Sequence, residues 1–307
     1  MRLSTISWVA LALACGPVAD SEPAREEPSA EPAAEETRVE QVGPRPASWV
    51  EARVAEARTR MQDDPAGRLV WESIEAHGGL EAWHAKSTIR FTFDYAPIAQ
   101  PERRMHTVSS VDFWSSRARQ EEVDGDATLG WDGEEAWIAP GPDAFPSPAR
   151  FWALTPYYFV GMPFVAADSG TRYEQLEDAE LDGVTHRVVK LAYGDGVGDA
   201  PDDYYVLYLH PETKRLSALR YVVSYPGFFP EGGHSPEKLM RYTDYREVDG
   251  LWIAGRLDTS SWDAEAGEVG EVVTNIVVSD VVLGERWEGD LFAKPEGAVV
   301  SEIGPRQ

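Results

Sequence analysis

One cysteine, six histidines and 53 carboxylates are the groups through which this 307-residue chain could do covalent or metal chemistry. Cys15 has no partner, so the chain folds without a disulfide and offers no cysteine pair to a metal. No histidine opens an H-E-x-x-H zinc helix: Gly78-Gly79 follow His77, and Pro211-Glu212 follow His210. "GGHSPE" misses the G-x-S-x-G nucleophile elbow, because Glu237 stands where the last glycine belongs, and it reads as a surface loop. "DGDATLGWDGEE" spaces Asp124, Asp126, Thr128, Asp132 and Glu135 like calcium ligands, but Leu129 occupies the position that needs glycine. The aspartates of "YGDGVGDAPDDY", Tyr193 to Tyr204, read as a solvated hairpin loop. Nothing selects two carboxylates as a glycosidase-like pair. The side chains therefore read as those of a non-enzyme with no cofactor and no metal.

Cys15 remains, as an attachment point. It follows Arg2 and an apolar run, Leu3 to Ala14, broken only by Ser4, Thr5 and Ser7. That run is short for a bilayer span and right for the core of a signal peptide. "LALAC" resembles the bacterial lipobox, in which small and apolar residues precede a cysteine that becomes the lipidated N-terminus. The resemblance implies a signal peptide over 1–14, lipidation of Cys15 and residence in the bacterial cell envelope. Gly16, where an aspartate would mark inner-membrane retention, implies the outer membrane. Residues 15–47 are rich in Pro, Ala and Glu and poor in large apolar side chains, which predicts a disordered acidic tether. About 30 such residues would reach on the order of 30 Å.

The formal net charge of −25 repels phosphate backbones and excludes nucleic acid as a partner. In residues 48–300, read as one domain before a tail at 301–307, two helices come first. Ser48-Trp49-Val50-Glu51 has the pattern of a capping box and predicts a helix to about Met61. Asp63 or Asp64 caps a second, with Pro65 in its first turn, apolar residues at helical spacing and Gly78-Gly79 at its end. The period then changes to two. "TIRFTFDY" puts Ile89, Phe91, Phe93 and Tyr95 on one face. Strands follow near 103–114, 117–123, 127–131, 171–177, 184–192, 204–210, 215–225, 238–247, 251–260 and 271–283, with hairpin turns at Asp132-Gly133 and Asp249-Gly250. The fold class is mainly β with a few helices: a large antiparallel sheet of about ten strands, wide enough to curl. One segment breaks the alternation. Ala149 to Gly170, "ARFWALTPYYFVGMPFVAADSG", reads as a short helix and a buried loop lying across the sheet. The interior is then either hollow or filled by this segment and the helices. The aromatic residues that would line a hollow are Phe91, Phe93, Tyr95, Trp131 and Trp137 from the strands and Phe151, Trp152, Tyr157, Tyr158, Phe159 and Phe164 from the inserted segment. Roughly two-thirds of the insert's aromatics are expected to be ordinary core.

In their order, "IEAHGGLEAWHAKSTIRFTFDY", "LGWDGEEAWIA", "YYFVGMPFVAADSG", "YTDYREVDGLWIAGRL" and "LFAKPEGA" resemble the landmarks of a family of bacterial envelope lipoproteins similar to the Lol-type (LolA/LolB-like) lipoprotein carriers. The resemblance covers roughly Asp64 to Ala298. It implies a half-barrel sheet, helices covering its concave face, and an apolar cavity for a lipid or for the acyl chains of a lipoprotein. It also implies an arginine that latches a lid, and the sequence singles none out. The expected function is a lipid-anchored envelope protein that binds or carries an apolar ligand without covalent chemistry. The other readings are an interaction or scaffold lipoprotein with a filled core and an envelope-protein partner, and a carboxylate-dependent hydrolase.

Overall fold

The computed structural model describes residues 41–145, 148–194, 198–200 and 202–301. Cys15, the expected signal peptide and most of the expected tether lie outside the described residues. The fold begins earlier than the expected boundary at residue 48. Val42 is fully buried, and strand β1 (Gln41–Val42) pairs with Trp287 and Glu288. A single buried valine in a Pro- and Glu-rich stretch is too weak a pattern to read as a strand.

Three helices follow: α1 (Ala47–Gln62), α2 (Pro65–Ala76) and α3 (Leu80–Lys86). Ser48 does not cap α1. The helix starts one residue before it, where the carbonyl of extended Pro46 accepts from the N–H groups of Trp49 and Val50. Val50, Val54, Ala57 and Met61 make its buried stripe. Asp64 does cap α2, accepting from the N–H groups of Ala66 and Gly67, with Pro65 in the first turn as expected. Gly78 and Gly79 take the left-handed φ of +115° and +92° that turns the chain into α3.

The sheet is built from β2 (Thr88–Pro97), β3 (Met105–Asp112), β4 (Arg117–Glu122), β5 (Thr128–Trp131), β6 (Ala136–Ala139), β7 (Thr171–Gln175), β8 (Ala179–Leu181), β9 (Val184–Tyr193), β10 (Tyr204–Leu209), β11 (Leu216–Tyr221), β12 (Lys238–Val248), β13 (Leu251–Asp263) and β14 (Glu268–Leu283). β15 (Trp287–Glu288) is the partner of β1, and β16 (Val299–Ser301) adds an edge. The order is β16-β6-β5-β4-β3-β2-β14-β13-β12-β11-β10-β9-β7, with β8 also paired to β9. All pairings are antiparallel. At 14 strands the sheet is wider than the expected ten or so, and it is not closed. The three-residue β8 and β16 carry too few alternations to show in the sequence. β16 also takes in Ser301, a residue expected in the tail; its hydroxyl accepts from the N–H of Ala149.

Ile89, Phe91 and Phe93 point to one face, as their spacing predicts, and enter the main core with Tyr95 packed at its edge. The helices lie on that same face: α2 packs on β7, β9 and β10, while α4 (Ala149–Val160) packs on β3 to β6. The sheet is thus a trough with helices in its concave side. Pro156 sits inside α4 and lacks the N–H that the Trp152 carbonyl would otherwise accept from. The fully buried Gln120 of β4 donates its side-chain amide to that carbonyl instead. At the other end of α4 the Tyr242 hydroxyl of β12 donates to the Phe159 carbonyl at 2.9 Å. The inserted helix is therefore tied to both arms of the trough, which is how so apolar a segment comes to lie across the sheet.

Candidate functional site

The two ends of the trough differ. At the end where β2 begins and β14 finishes, the α2–α3 corner is tied down. Trp252 N–H donates to the His77 carbonyl at 2.8 Å, Arg215 reaches the Ala76 carbonyl at 3.3 Å, and Lys86 pairs with Asp249 at 3.0 Å. This end is filled. Trp83 of α3 lies between Phe113 and Phe164 with ring centroids 4.7 and 4.5 Å away.

At the opposite end, where β9, β11 and β2 finish and β10 and β12 begin, two clefts flank α4. The first has a volume of about 320 Å³ and the second about 330 Å³. Phe151, Thr155 and Phe159 of α4, with Tyr221 and Val223, form a wall common to both. The interior is thus neither a single hollow nor wholly filled. The expected cavity residues divide accordingly. Phe93, Tyr95 and Trp152 line the second cleft, Tyr158 lines the first, and Phe151 and Phe159 line both. Phe91, Trp131, Tyr157 and Phe164 line neither and are packed in the core. Trp137 is fully buried but faces the other way. Its indole N–H donates to the Phe292 carbonyl and it packs over Gly130, where a Cβ would come within 2.4 Å of the ring. Strand alternation puts Trp137 opposite its neighbours Ala136 and Ile138, which belong to the main core.

The first cleft is polar as well as aromatic. Asp168 pairs with Arg53 at 3.2 Å, Asp199 pairs with Arg150 at 2.8 Å, and Asp203 accepts from the Ser224 N–H. Desolvation raises the Asp168 carboxyl above its ordinary value against the pull of Arg53. With its side chain 34 % exposed, that is the desolvation of a cleft wall and not of the core. Desolvation raises Asp203 too, opposed by its bonds to Ser224. Burial pushes the Tyr158 phenol up to about 12, and raises Tyr193, Tyr205 and Tyr221 as well, so these rings present neutral hydroxyls. Among the described residues no group of three or more His, Cys, Asp or Glu side chains is placed to hold a metal.

Several contributors escaped the sequence reading. Tyr193, Tyr205, Tyr221 and Tyr225 line the first cleft and Phe228-Phe229 the second. The adjacent phenylalanines in a Pro- and Gly-rich loop were a legible signal. Arg60 of α1 was not. Its guanidinium donates to the Ala167 and Asp168 carbonyls at 2.6 and 3.0 Å and to the hydroxyls of Thr171 and Tyr173 at 2.9 and 3.1 Å. It clamps the end of the inserted segment.

The chain is similar to several solved structures at low sequence identity. It is similar to a LolA superfamily protein from Nitrosomonas europaea, with 13 % identity over 75 % of this chain and 97 % of that one and a TM-score of 0.46. It is similar also to a putative outer membrane lipoprotein-sorting protein domain from Vibrio parahaemolyticus, at 15 % identity over 68 % and 93 % of the two chains and a TM-score of 0.34. A DUF1329 family protein from Desulfovibrio piger matches at 9 % identity over 72 % and 93 %, with a TM-score of 0.44. No protein-family model and no curated protein matches the sequence.

Proposed function

We propose that the protein is a lipid-anchored, non-catalytic carrier or receptor in the bacterial cell envelope, at the outer membrane, and that it holds a lipid or a lipoprotein's acyl chains. The observation that carries this reading is the pair of aromatic clefts sharing the Phe151–Thr155–Phe159 wall at the open end of the trough. Each volume falls at the small end of the roughly 300–1,000 Å³ typical of small-molecule sites. Each methylene buried there stabilises the complex by about 0.8 kcal/mol. The three aspartates of the first cleft are each held by a partner, which supports binding over hydrolysis. Residues 1–14 would be the signal peptide, Cys15 the attachment point, and the chain up to about residue 40 the tether.

Thr155 faces both clefts and is half-buried, so Thr155→Trp fills them from their shared wall. The variant is expected to weaken binding of a fluorescent fatty-acid probe by about 100-fold (~2.7 kcal/mol) with little change in thermal stability. Lipid extracted from the purified wild-type chain and identified by mass spectrometry should be missing from the variant. A wild-type protein that carries no lipid and ignores the probe, yet crosslinks reproducibly to one envelope protein, would establish the scaffold reading instead. The anchor is tested separately: Cys15→Ala should abolish acyl labelling and release the protein from membranes.

A further inference from the structure

The second cleft differs from the first in its charges. The first is lined by three aspartates and two arginines, whereas the second is lined by Lys238 and Arg103 and by no carboxylate. In a chain with 53 acidic and 28 basic residues, a cleft carrying only positive charge runs against the composition. Lys238 opens β12, and alternation puts it on the same face as Met240 and Tyr242, both core residues. It therefore stands on the concave side, beside Tyr221 of the adjacent strand.

Among the described residues Lys238 has no ion pair and no hydrogen bond to its ammonium. The neighbouring Glu237 is engaged elsewhere, with Arg220 at 3.2 Å and the Tyr204 hydroxyl at 2.9 Å. Among the described residues the Arg103 guanidinium donates only to the Gln100 side chain, at 3.0 Å. Desolvation alone lowers the Lys238 pKa, with no neighbouring charge to offset it. An ammonium drawn out of water without a counter-charge costs free energy that a bound anion returns. The walls beneath it, Phe93, Trp152 and Phe229, suit a hydrocarbon chain, and Ile98 and Phe228 stand exposed nearby.

We infer that the second cleft selects an anionic single-chain amphiphile, whose chain lies against the α4 wall and whose carboxylate or phosphate head meets Lys238, with Arg103 at the mouth. This rests on the apolar-ligand reading above and adds the charge of the head group to it.

The test compares oleate, oleyl alcohol and oleylamine as competitors of a bound fluorescent fatty-acid probe, at neutral pH and physiological salt. Oleate should bind about tenfold or more tighter than the alcohol, and oleylamine weakest. Lys238→Met should bring oleate to the level of the alcohol and leave the alcohol unchanged. Arg103→Gln, at an exposed site, should cause a smaller loss in the same direction. Oleoyl lysophosphatidate distinguishes the two anion sources: whichever of it and oleate binds tighter names the head group. Equal affinity for oleate and alcohol would overturn the inference and leave the apolar-ligand reading standing. So would a Lys238→Met variant that loses all competitors alike. Failure of every competitor would overturn both.

Discussion

Lowering the pH from 7.5 to about 5 is expected to cost the folded domain on the order of 4 kcal/mol, through two buried histidines. His77 is fully buried at the C-terminal end of α2, and burial lowers its pKa from 6.5 to about 4. Its ring bonds the Ser73 carbonyl at 2.7 Å on one side and the Tyr245 hydroxyl at 3.3 Å on the other, and nearby Arg215 further disfavours its cation. His84 of α3 is 3 % exposed among Phe113 and Trp114. Burial, with Arg53 adding to it, lowers its pKa from 6.5 to about 3. Both folded values lie below the unfolded one, so the folded protein keeps the rings neutral while the unfolded chain takes up protons. The stability is fully present above about pH 6.5 and is lost as pH falls toward the folded values. Asp168 and Asp203 act in the opposite sense, since their raised pKa values favour the fold on protonation. Asp94 and Asp182, held low by Arg104 and Arg241, lose their contribution lower still. The loss expected as pH falls from 6.5 to 5 is the contribution of His77 and His84. Urea midpoints at pH 7.5, 6 and 5 measure it. His84→Phe, which keeps an aromatic ring in an aromatic setting, should remove about half the slope. A wild-type midpoint flat across this range would refute the assignment.

What could be read from the sequence, and what could not, follows from the range of the interactions. Local signals survive. The Asp64 cap and Pro65 start α2 whatever lies around them, and period-two apolar residues in "TIRFTFDY" define a core-facing strand. Most strand positions were legible because hairpin turns are local chemistry as well. The failures are long-range. Nothing near Pro156 says that Gln120, 32 residues before Trp152, will replace the missing N–H. Nothing in α1 distinguishes Arg60, which grips carbonyls more than a hundred residues away, from Arg58, which lies over Trp71. The aromatics of the inserted segment divided between core and cleft according to what each one meets: Phe164 meets Trp83, whereas Phe151 and Phe159 meet open space on both sides. Trp137 was misplaced for a different reason. Its alternation with Ala136 and Ile138 is legible, but nothing local says that Gly130 on the neighbouring strand makes room for a large aromatic on the outer face.

The filled end of the trough should show its dependence on Trp83. Trp83→Ala is expected to destabilise the domain by about 3–5 kcal/mol. The ring is 1 % exposed and covered on both faces, by Phe113 at an interplanar angle of 9° and by Phe164 at 5°, with Tyr157 stacked 6.4 Å away. These three neighbours belong to different parts of the chain: the turn after β3, the 3-10 helix at Phe164–Ala167, and α4. Truncation to alanine removes a side chain that touches all of them, and the backbone cannot collapse into the space. Arg60 holds the far end of the 3-10 segment, and the Phe159 carbonyl is held by Tyr242. The cavity term therefore adds to the lost transfer free energy. Trp83→Phe keeps a stacked ring at the centre and should cost less than half as much. Denaturant unfolding at neutral pH separates the two variants. If alanine and phenylalanine cost the same, the stacked arrangement contributes nothing beyond buried area. If both cost under about 1 kcal/mol, this end of the trough is not a packed core. The open end gives an internal control: Thr155→Trp adds volume where space exists, so the two ends should respond with opposite sensitivity, one losing stability when emptied and the other losing ligand when filled.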